Sequence, residues 1–303
     1  KLFNLMKLKR KIALLFASIS IFSLGVGESI NATDDLIKIY QGDFVDGKST
    51  GKGIYTWANG DKYEGDWVNG NRTGKGTFNW VSGNKYVGDF LDNMTNGKGI
   101  LTFPNGYKYE GEFVDNNRSG FAIVTLPNGD KYEGDFLNDI ASGKGTITWA
   151  NGNKYVGDWV DGERTGKGTQ TFANGDKYVG DFVDGKLTGK GILVKVNGVK
   201  YEGDFLNDSA SGKGTITWAN GNKYVGDWVD GYRTGKGTLT TPSGMKYVGK
   251  FLNNMQTRGT LYFPNGDKYV GEFLDGNFHG KGTITLRNGE RIKGKWLNGN
   301  LVN

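Results

Sequence analysis

The sequence predicts an all-β protein: an elongated, single-layer, twisted antiparallel sheet of tandem β-hairpins. Three observations carry this. Tyrosine recurs every 23 residues, at Tyr40, Tyr63, Tyr86, Tyr109, Tyr132, Tyr155, Tyr178, Tyr201, Tyr224 and Tyr247, and a period of that length marks a repeat array. Glycine is abundant, 52 of 303 residues, without the triplet period of collagen. The 8 Trp, 15 Tyr and 17 Phe supply buriable area that disordered chains lack.

From the N-terminus, residues 1–32 read as a secretory signal peptide, with a short retained anchor as the alternative. Residues 6–11 are a basic run, and residues 12–27 carry no charge, the layout of an export signal. That apolar stretch is shorter than the ~18 residues of a spanning segment. Cleavage is expected after Gly27 or Ala32, and residues 1–5 read as sequence upstream of a start at Met6. A signal implies an exported chain (periplasmic, secreted or at the cell surface), whereas an anchor implies attachment to a membrane. Residues 33–39 are a short linker and the entry to the first strand. Residues 40–303 are the array, eleven full units and one truncated unit.

The unit reads Y-[EV]-G-[DE]-[FW]-[VL]-[DN]-G-x-x-[TS]-G-K-G-T-x-T-[FW]-x-N-G-[DN]-K, as in residues 155–177. K-Y-x-G-[DE]-[FW] alternates, with Tyr, Gly and Phe/Trp on one face and Lys and the acid on the other. G-T-x-T-[FW] alternates as well and forms a second strand. The Asn-Gly at 59–60, 151–152 and 220–221 is the expected tight hairpin turn. The longer [DN]-G-x-x-[TS]-G stretch is expected to close the other end as a loop. A glycine inside each strand weakens it unless a ring, expected from a neighbouring strand, lies over it. One hairpin alone is marginal in water, so stability must come from contacts between successive units. About 23 strands at ~4.8 Å make a ribbon on the order of 110 Å long.

The net charge of +6 is concentrated in the leader. Residues 1–33 hold five basic groups and one acid, leaving 33 basic and 31 acidic residues in the remainder. A nearly neutral body with interleaved signs does not predict a nucleic-acid partner. There is no cysteine, hence no disulfide framework or thiolate site. No enzyme is predicted, and no cofactor or metal. Residues 132–167 and 201–236 agree at 34 of 36 positions, and a segment so duplicated does not carry one unique catalytic site. His279, the single histidine, reads as a loop residue at a variable repeat position. T-G-K-G-T lacks the spacing and following helix of a phosphate loop. The acids Asp43, Asp66, Asp89, Glu112, Asp135, Asp158, Asp181, Asp204, Asp227 and Glu272 form a ladder, read as partners of lysine across strands rather than calcium ligands.

The pattern Y-x-G-[DE]-[FW]…G-x-G-x-[FW]…N-G-x-x-Y, running from Tyr40 to the C-terminus, resembles the MORN repeat (membrane occupation and recognition nexus). The resemblance implies a run of antiparallel hairpins serving protein interaction or self-association, and carries an association with phospholipid. The leading reading is an exported structural or protein-interaction scaffold. Its docking surface is then the repeat aromatic face of Tyr63, Trp67, Tyr86, Phe90, Tyr109, Phe113, Tyr132, Phe136, Tyr155, Trp159, Tyr178, Phe182, Tyr201, Phe205, Tyr224 and Trp228. The alternative is a peripheral anionic-lipid module using Lys62, Lys85, Lys108, Lys131, Lys154, Lys177, Lys200 and Lys223, each basic group near such a surface contributing ~1 kcal/mol. A glycan-binding surface array, stacking sugars on aromatic rings, is a third. Two departures stand out: residues 120–123 read G-F-A-I, and residues 251–260 lose one residue and the first loop glycine while Lys250 replaces the acid. A local bend or altered twist is expected at 251–259.

Overall fold

The computed structural model describes residues 40–302; the proposed leader and linker of residues 1–39 lie outside them. The described residues contain 24 β-strands and no helix. They fall into two compact units, residues 40–164 and 165–302.

The first unit comprises β1 (Tyr40–Val45), β2 (Lys48–Thr56), β3 (Lys62–Val68), β4 (Asn71–Asn79), β5 (Lys85–Leu91) and β6 (Met94–Thr102). It continues with β7 (Lys108–Val114), β8 (Asn117–Thr125), β9 (Lys131–Leu137), β10 (Ile140–Thr148) and β11 (Lys154–Val160). Each strand pairs antiparallel with its neighbour in sequence, and the sheet stays open. The second unit has the same plan. It runs through β12 (Glu163–Thr171), which starts just ahead of the boundary, then β13 (Lys177–Val183), β14 (Lys186–Val194), β15 (Lys200–Leu206), β16 (Ser209–Thr217) and β17 (Lys223–Val229). After these come β18 (Tyr232–Thr240), β19 (Lys246–Leu252), β20 (Met255–Tyr262), β21 (Lys268–Leu274), β22 (Asn277–Thr285), β23 (Arg291–Leu297) and β24 (Asn300–Leu301). Its pairing is likewise sequential and open.

The two kinds of connection exchange the roles expected of them. The tight two-residue turn is the [DN]-[GND] dipeptide between β1 and β2, where Asp46 and Gly47 have φ of 48° and 73°. Asn69-Gly70 and Asp92-Asn93 repeat this geometry, the paired positive φ of a type I′ turn. The Asn-Gly at 59–60 instead lies in the longer connection from β2 to β3. There the Gly60 N–H donates to Trp57 O at 2.9 Å, and Asn59 Oδ1 accepts the Asp61 N–H at 3.0 Å. Because the dipeptide turns so sharply, x-x-[TS]-G-K is not a loop. It is the first half of a nine-residue strand, as in β4.

The glycine expectation holds with one correction. Gly65 on β3 faces Gly76 on β4, and a Cβ on either would overlap the Tyr63 ring. The covering ring therefore comes from the glycine's own strand, two residues earlier, and spans to the adjacent strand. The Tyr63 hydroxyl then donates to Asp66 O at 3.1 Å, which fixes the ring flat over the glycine pair. Tyr86, Tyr132, Tyr178, Tyr201 and Tyr224 make the same bond, to the residue three further on.

Candidate functional site

On the face that carries Tyr, Gly and Phe/Trp, each tyrosine meets two rings edge-on. Tyr63 lies 5.2 Å from Trp67 on its own strand and 5.0 Å from Phe90 in the next hairpin pair. Tyr86 does the same with Phe90 and Phe113, both at 5.1 Å. Tyr201 repeats it with Phe205 and Trp228, again both at 5.1 Å. Edge-to-face contacts of this kind add about 0.5–1.5 kcal/mol each beyond area burial. All sixteen rings expected to form a docking surface are between 0% and 3% exposed. They are the core: their rings meet each other, and neither a partner nor a sugar reaches them while the fold is intact. Burial pushes the hydroxyls of Tyr63, Tyr86, Tyr109, Tyr132, Tyr178 and Tyr201 well up, and those of Tyr155, Tyr224 and Tyr247 up to about 12.

Sequence reasoning missed a cation in this core. Arg72 is 3% exposed, its guanidinium 5.4 Å from the Trp57 ring and 5.3 Å from the Phe78 ring. Its Nη2 donates to Asn93 O at 2.8 Å, and burial pushes its pKa down to about 10. Arg118, 1% exposed, is better partnered, donating to Asp139 Oδ1 at 2.9 Å and to the Tyr107 hydroxyl at 2.7 Å. Burial works to lower its pKa, but Tyr107 and Asp139 hold it above the ordinary value. Arg233 repeats the Arg72 arrangement over Trp218. The signal was present: Ala141, Leu187 and Ala210 occupy the same repeat position and are buried.

The opposite face is open, and its charges are ordered by a bulge. Across from Asp66, β4 carries two extra residues, with Gly74 at φ 71°. Asp66 Oδ2 accepts the bulged Lys75 N–H at 3.0 Å, and Oδ1 accepts the Lys52 ammonium at 2.7 Å. These two donors, Lys52 first, hold Asp66 below the usual carboxylate value. Asp89, Asp135, Asp181, Asp204 and Asp227 cap the following bulge in the same way. The acidic ladder is thus a set of bulge caps tied to lysine, as the cross-strand reading expected, with a backbone bond added.

Of the eight lysines expected to contact lipid, Lys62, Lys108, Lys131 and Lys200 pair with the glutamate two residues on. Lys85, Lys154, Lys177 and Lys223 stand beside the half-exposed Val87, Val156, Val179 and Val225. His279 lies in β22 rather than a loop, across from Glu272. Among the described residues no cluster of His, Cys, Asp and Glu has a metal-binding arrangement.

The departures resolve differently. At residues 120–123 the bulge survives, with Gly120 at φ 60°. Ala122 takes a glycine site and is buried, while Phe121 stands 58% exposed across from Asp135. At residues 251–259 the bulge is one residue rather than two, and no residue of β20 has positive φ. Lys250 and Lys295 replace the acid where no full bulge follows: β20 is shortened, and β24 has only two residues.

Broad grooves floored by glycine backbone lie on the open face, and the two of largest volume differ in charge. The first, about 1070 Å³, spans Gln41 to Ile123, and its charged lining is balanced: Lys52, Lys75 and Lys98 against Glu64, Glu110 and Glu112. The second, about 850 Å³, spans Glu202 to Lys250, and its charged lining is Lys213, Lys223, Lys236 and Lys250 against Glu202 alone.

An array in which each hairpin buries its rings against the next and opens its other face is a repeat scaffold or interaction module. The chain belongs to the MORN repeat family. The MORN repeat matches eleven times, at residues 40–62, 63–85, 86–106, 109–131, 132–154, 155–177, 178–200, 201–223, 224–246, 247–268 and 269–291. That family is a non-catalytic repeat family. No curated protein matches the chain. Among solved structures it is similar to the TCP domain of SAS-4 (dCPAP) of Drosophila melanogaster, solved with a proline-rich motif of Ana2 (dSTIL). The identity is 16%, over 65% of this chain and 88% of that one, with a TM-score of 0.31. It is also similar to the TCP10 domain of Danio rerio CPAP, at 11% identity over 80% and 99% of the chains and a TM-score of 0.23. Similarity to virginiamycin B lyase from Staphylococcus aureus is at 13% identity over 85% and 88%, with a TM-score of 0.15. At such TM-scores these likenesses carry no argument about what this chain does.

Proposed function

We propose that this chain is an exported docking scaffold that takes protein partners on its open, charged face. One observation carries the docking reading. The aromatic face is closed on itself, while the opposite face presents grooves with glycine backbone as floor and half-exposed valines beside charged rungs. Shallow apolar rows bounded by ordered charge suit a protein surface or extended segment, with the charges setting register. Binding to an anionic bilayer draws less support, because half of the lysine ladder is neutralised internally.

The test is photo-crosslinking from cells that make the full chain, with p-benzoylphenylalanine placed at residue 87 or 225 on the open face, or at residue 81 in an exposed connection. Specific protein adducts from 87 and 225 and none from 81 support the reading. Adducts from 81 alone, or none at all, sink it. Export rests on residues 1–32 and is tested by fractionation with N-terminal sequencing; an intact leader on a cytosolic product overturns it.

A further inference from the structure

We infer that the groove over β15 to β19 binds an acidic segment of a protein partner, held by Lys236 and Lys250 in the groove and by Arg258 on the adjoining β20; this deepens, and rests on, the docking reading above.

The charge pattern singles out this groove. In the first unit one row of rungs runs Asp66, Lys75, Asp89, Lys98, Glu112 across β3 to β7, so every cation has an acid on each side. In the second unit the corresponding row runs Asp227, Lys236, Lys250, Arg258. Lys236 faces Lys250 across β18 and β19, and Lys250 faces Arg258 across β19 and β20. All three are exposed. Among the described residues none of them is in an ion pair, whereas the ammonium of Lys213, one repeat earlier, is held by Asp227. Like charges on adjacent strands, ~4.8 Å apart, destabilise a sheet.

The fold does not require this arrangement. The shortened bulge at 251–259 removes the N–H that an acid at position 250 would cap, but any neutral polar residue satisfies that change. Three adjoining cations, with one acid at each end of the row (Asp227 and Glu272), are an excess of positive charge that an acidic partner offsets.

The surroundings select the kind of anion. Val225 and Val248, 47% and 40% exposed, lie one row away across the glycine floor. Glu202 lines the same groove, and Glu272 stands across from Arg258. A lipid headgroup layer or a nucleic-acid backbone, negative throughout, meets those acids along with the lysines. A peptide places its carboxylates opposite the three cations only, and lays its apolar side chains on the valines.

The experiment is fluorescence anisotropy on the full chain with a labelled (Glu-Val-Glu-Thr)4 peptide, and (Lys-Val-Lys-Thr)4 as the control. The acidic peptide binds and the basic one does not. Affinity falls about tenfold or more in K236E/K250E/R258E and changes less than about twofold in K52E/K75E/K98E, the matching reversal in the other groove. Should the triple variant lose its fold by circular dichroism, Lys250→Gln alone still weakens binding about threefold. Equal losses in both triple variants, no loss in either, or binding of phosphatidylserine vesicles through the same three residues with none of the peptide overturns the inference. The scaffold reading survives any of these as long as residues 87 and 225 still crosslink to partners, so the two failures are distinguishable.

Discussion

Residues 40–164 and 165–302 are built from one hairpin, but they handle irregularity in opposite ways. In the first unit the odd residues at 120–123 are absorbed. Gly120 keeps its positive φ, Glu112 still faces the bulge, and Ala122 is buried across from Gly111. In the second unit the deletion near 257 removes the bulge glycine and the capping acid together. Acid and glycine therefore act as one device: a bulge exposes an N–H, and the carboxylate eight residues before the glycine answers it. The ring zipper ignores the deletion, with Tyr247 still 5.2 Å from both Phe251 and Phe273. Packing on one face and charge on the other are thus separable layers, and the deletion alters the charged layer while the rings around Tyr247 keep their places.

The largest effect sharpens this by testing the common layer. Gly76→Val in the first unit and Gly259→Val in the second each force a branched side chain into a tyrosine ring or facing backbone. Each is expected to cost about 3 kcal/mol, the upper range of overpacking, read from urea midpoints. A neutral outcome in either unit breaks the claim that both share one core. Alkaline titration tests the same layer. The core hydroxyls are raised by burial above their unfolded value of 10.0, so their stabilisation is complete below pH 10.0 and is lost as pH rises toward about 12 and beyond. Tyrosinate absorbance should therefore grow together with loss of circular dichroism. Full ionisation near pH 10 with the sheet intact contradicts the burial.

The repeat frame was legible because a 23-residue tyrosine period leaves little room for another fold. What was hidden depended on register. T-G-K-G reads as loop until the bulge shows that Gly74 bends a continuous strand. Asn-Gly is the strongest short hairpin signal, so it drew the tight turn to residues 59–60, when Asp46-Gly47 had the better geometry. Burial of Arg72 and Arg118 was hidden because arginine is so rarely buried. The aromatic positions were read correctly as one face, but not as the closed one, because a glycine pair leaves no side chain to hold a tyrosine ring away from the backbone.

The next effect separates the units. Asp66→Lys leaves the Lys75 N–H uncapped and sets Lys52 against a like charge, at an expected cost of about 1–2 kcal/mol. Lys250→Asp is expected to lie within about 0.5 kcal/mol of the parent, since no full bulge follows it. Equal costs for the two break the link between acid and bulge. Acid titration gives the same answer without mutation. Asp66, Asp181, Asp204 and Asp227 sit below the usual carboxylate value of 3.8, so they stabilise the fold fully above it and progressively less as pH falls below it. Variants lacking one cap lose part of that acid-side slope.

The smallest effect is the most specific. Lys75 pairs with Asp89 at 2.5 Å but is 74% exposed, so Lys75→Met is expected to lose only about 0.5 kcal/mol. Lys236 faces Lys250 instead of an acid. Removing its charge relieves repulsion, and Lys236→Met is expected to stabilise the chain by about 0.3 kcal/mol in low salt. The two changes are chemically identical and sit at the same repeat position, so the unfolded chain responds to them alike and the opposite signs report the rungs alone. Added salt screens both toward zero. A loss of the same size in both units means that the lysine ladder acts through its alkyl chains, and that the charge pattern distinguishing the second groove has no energetic consequence in the free protein.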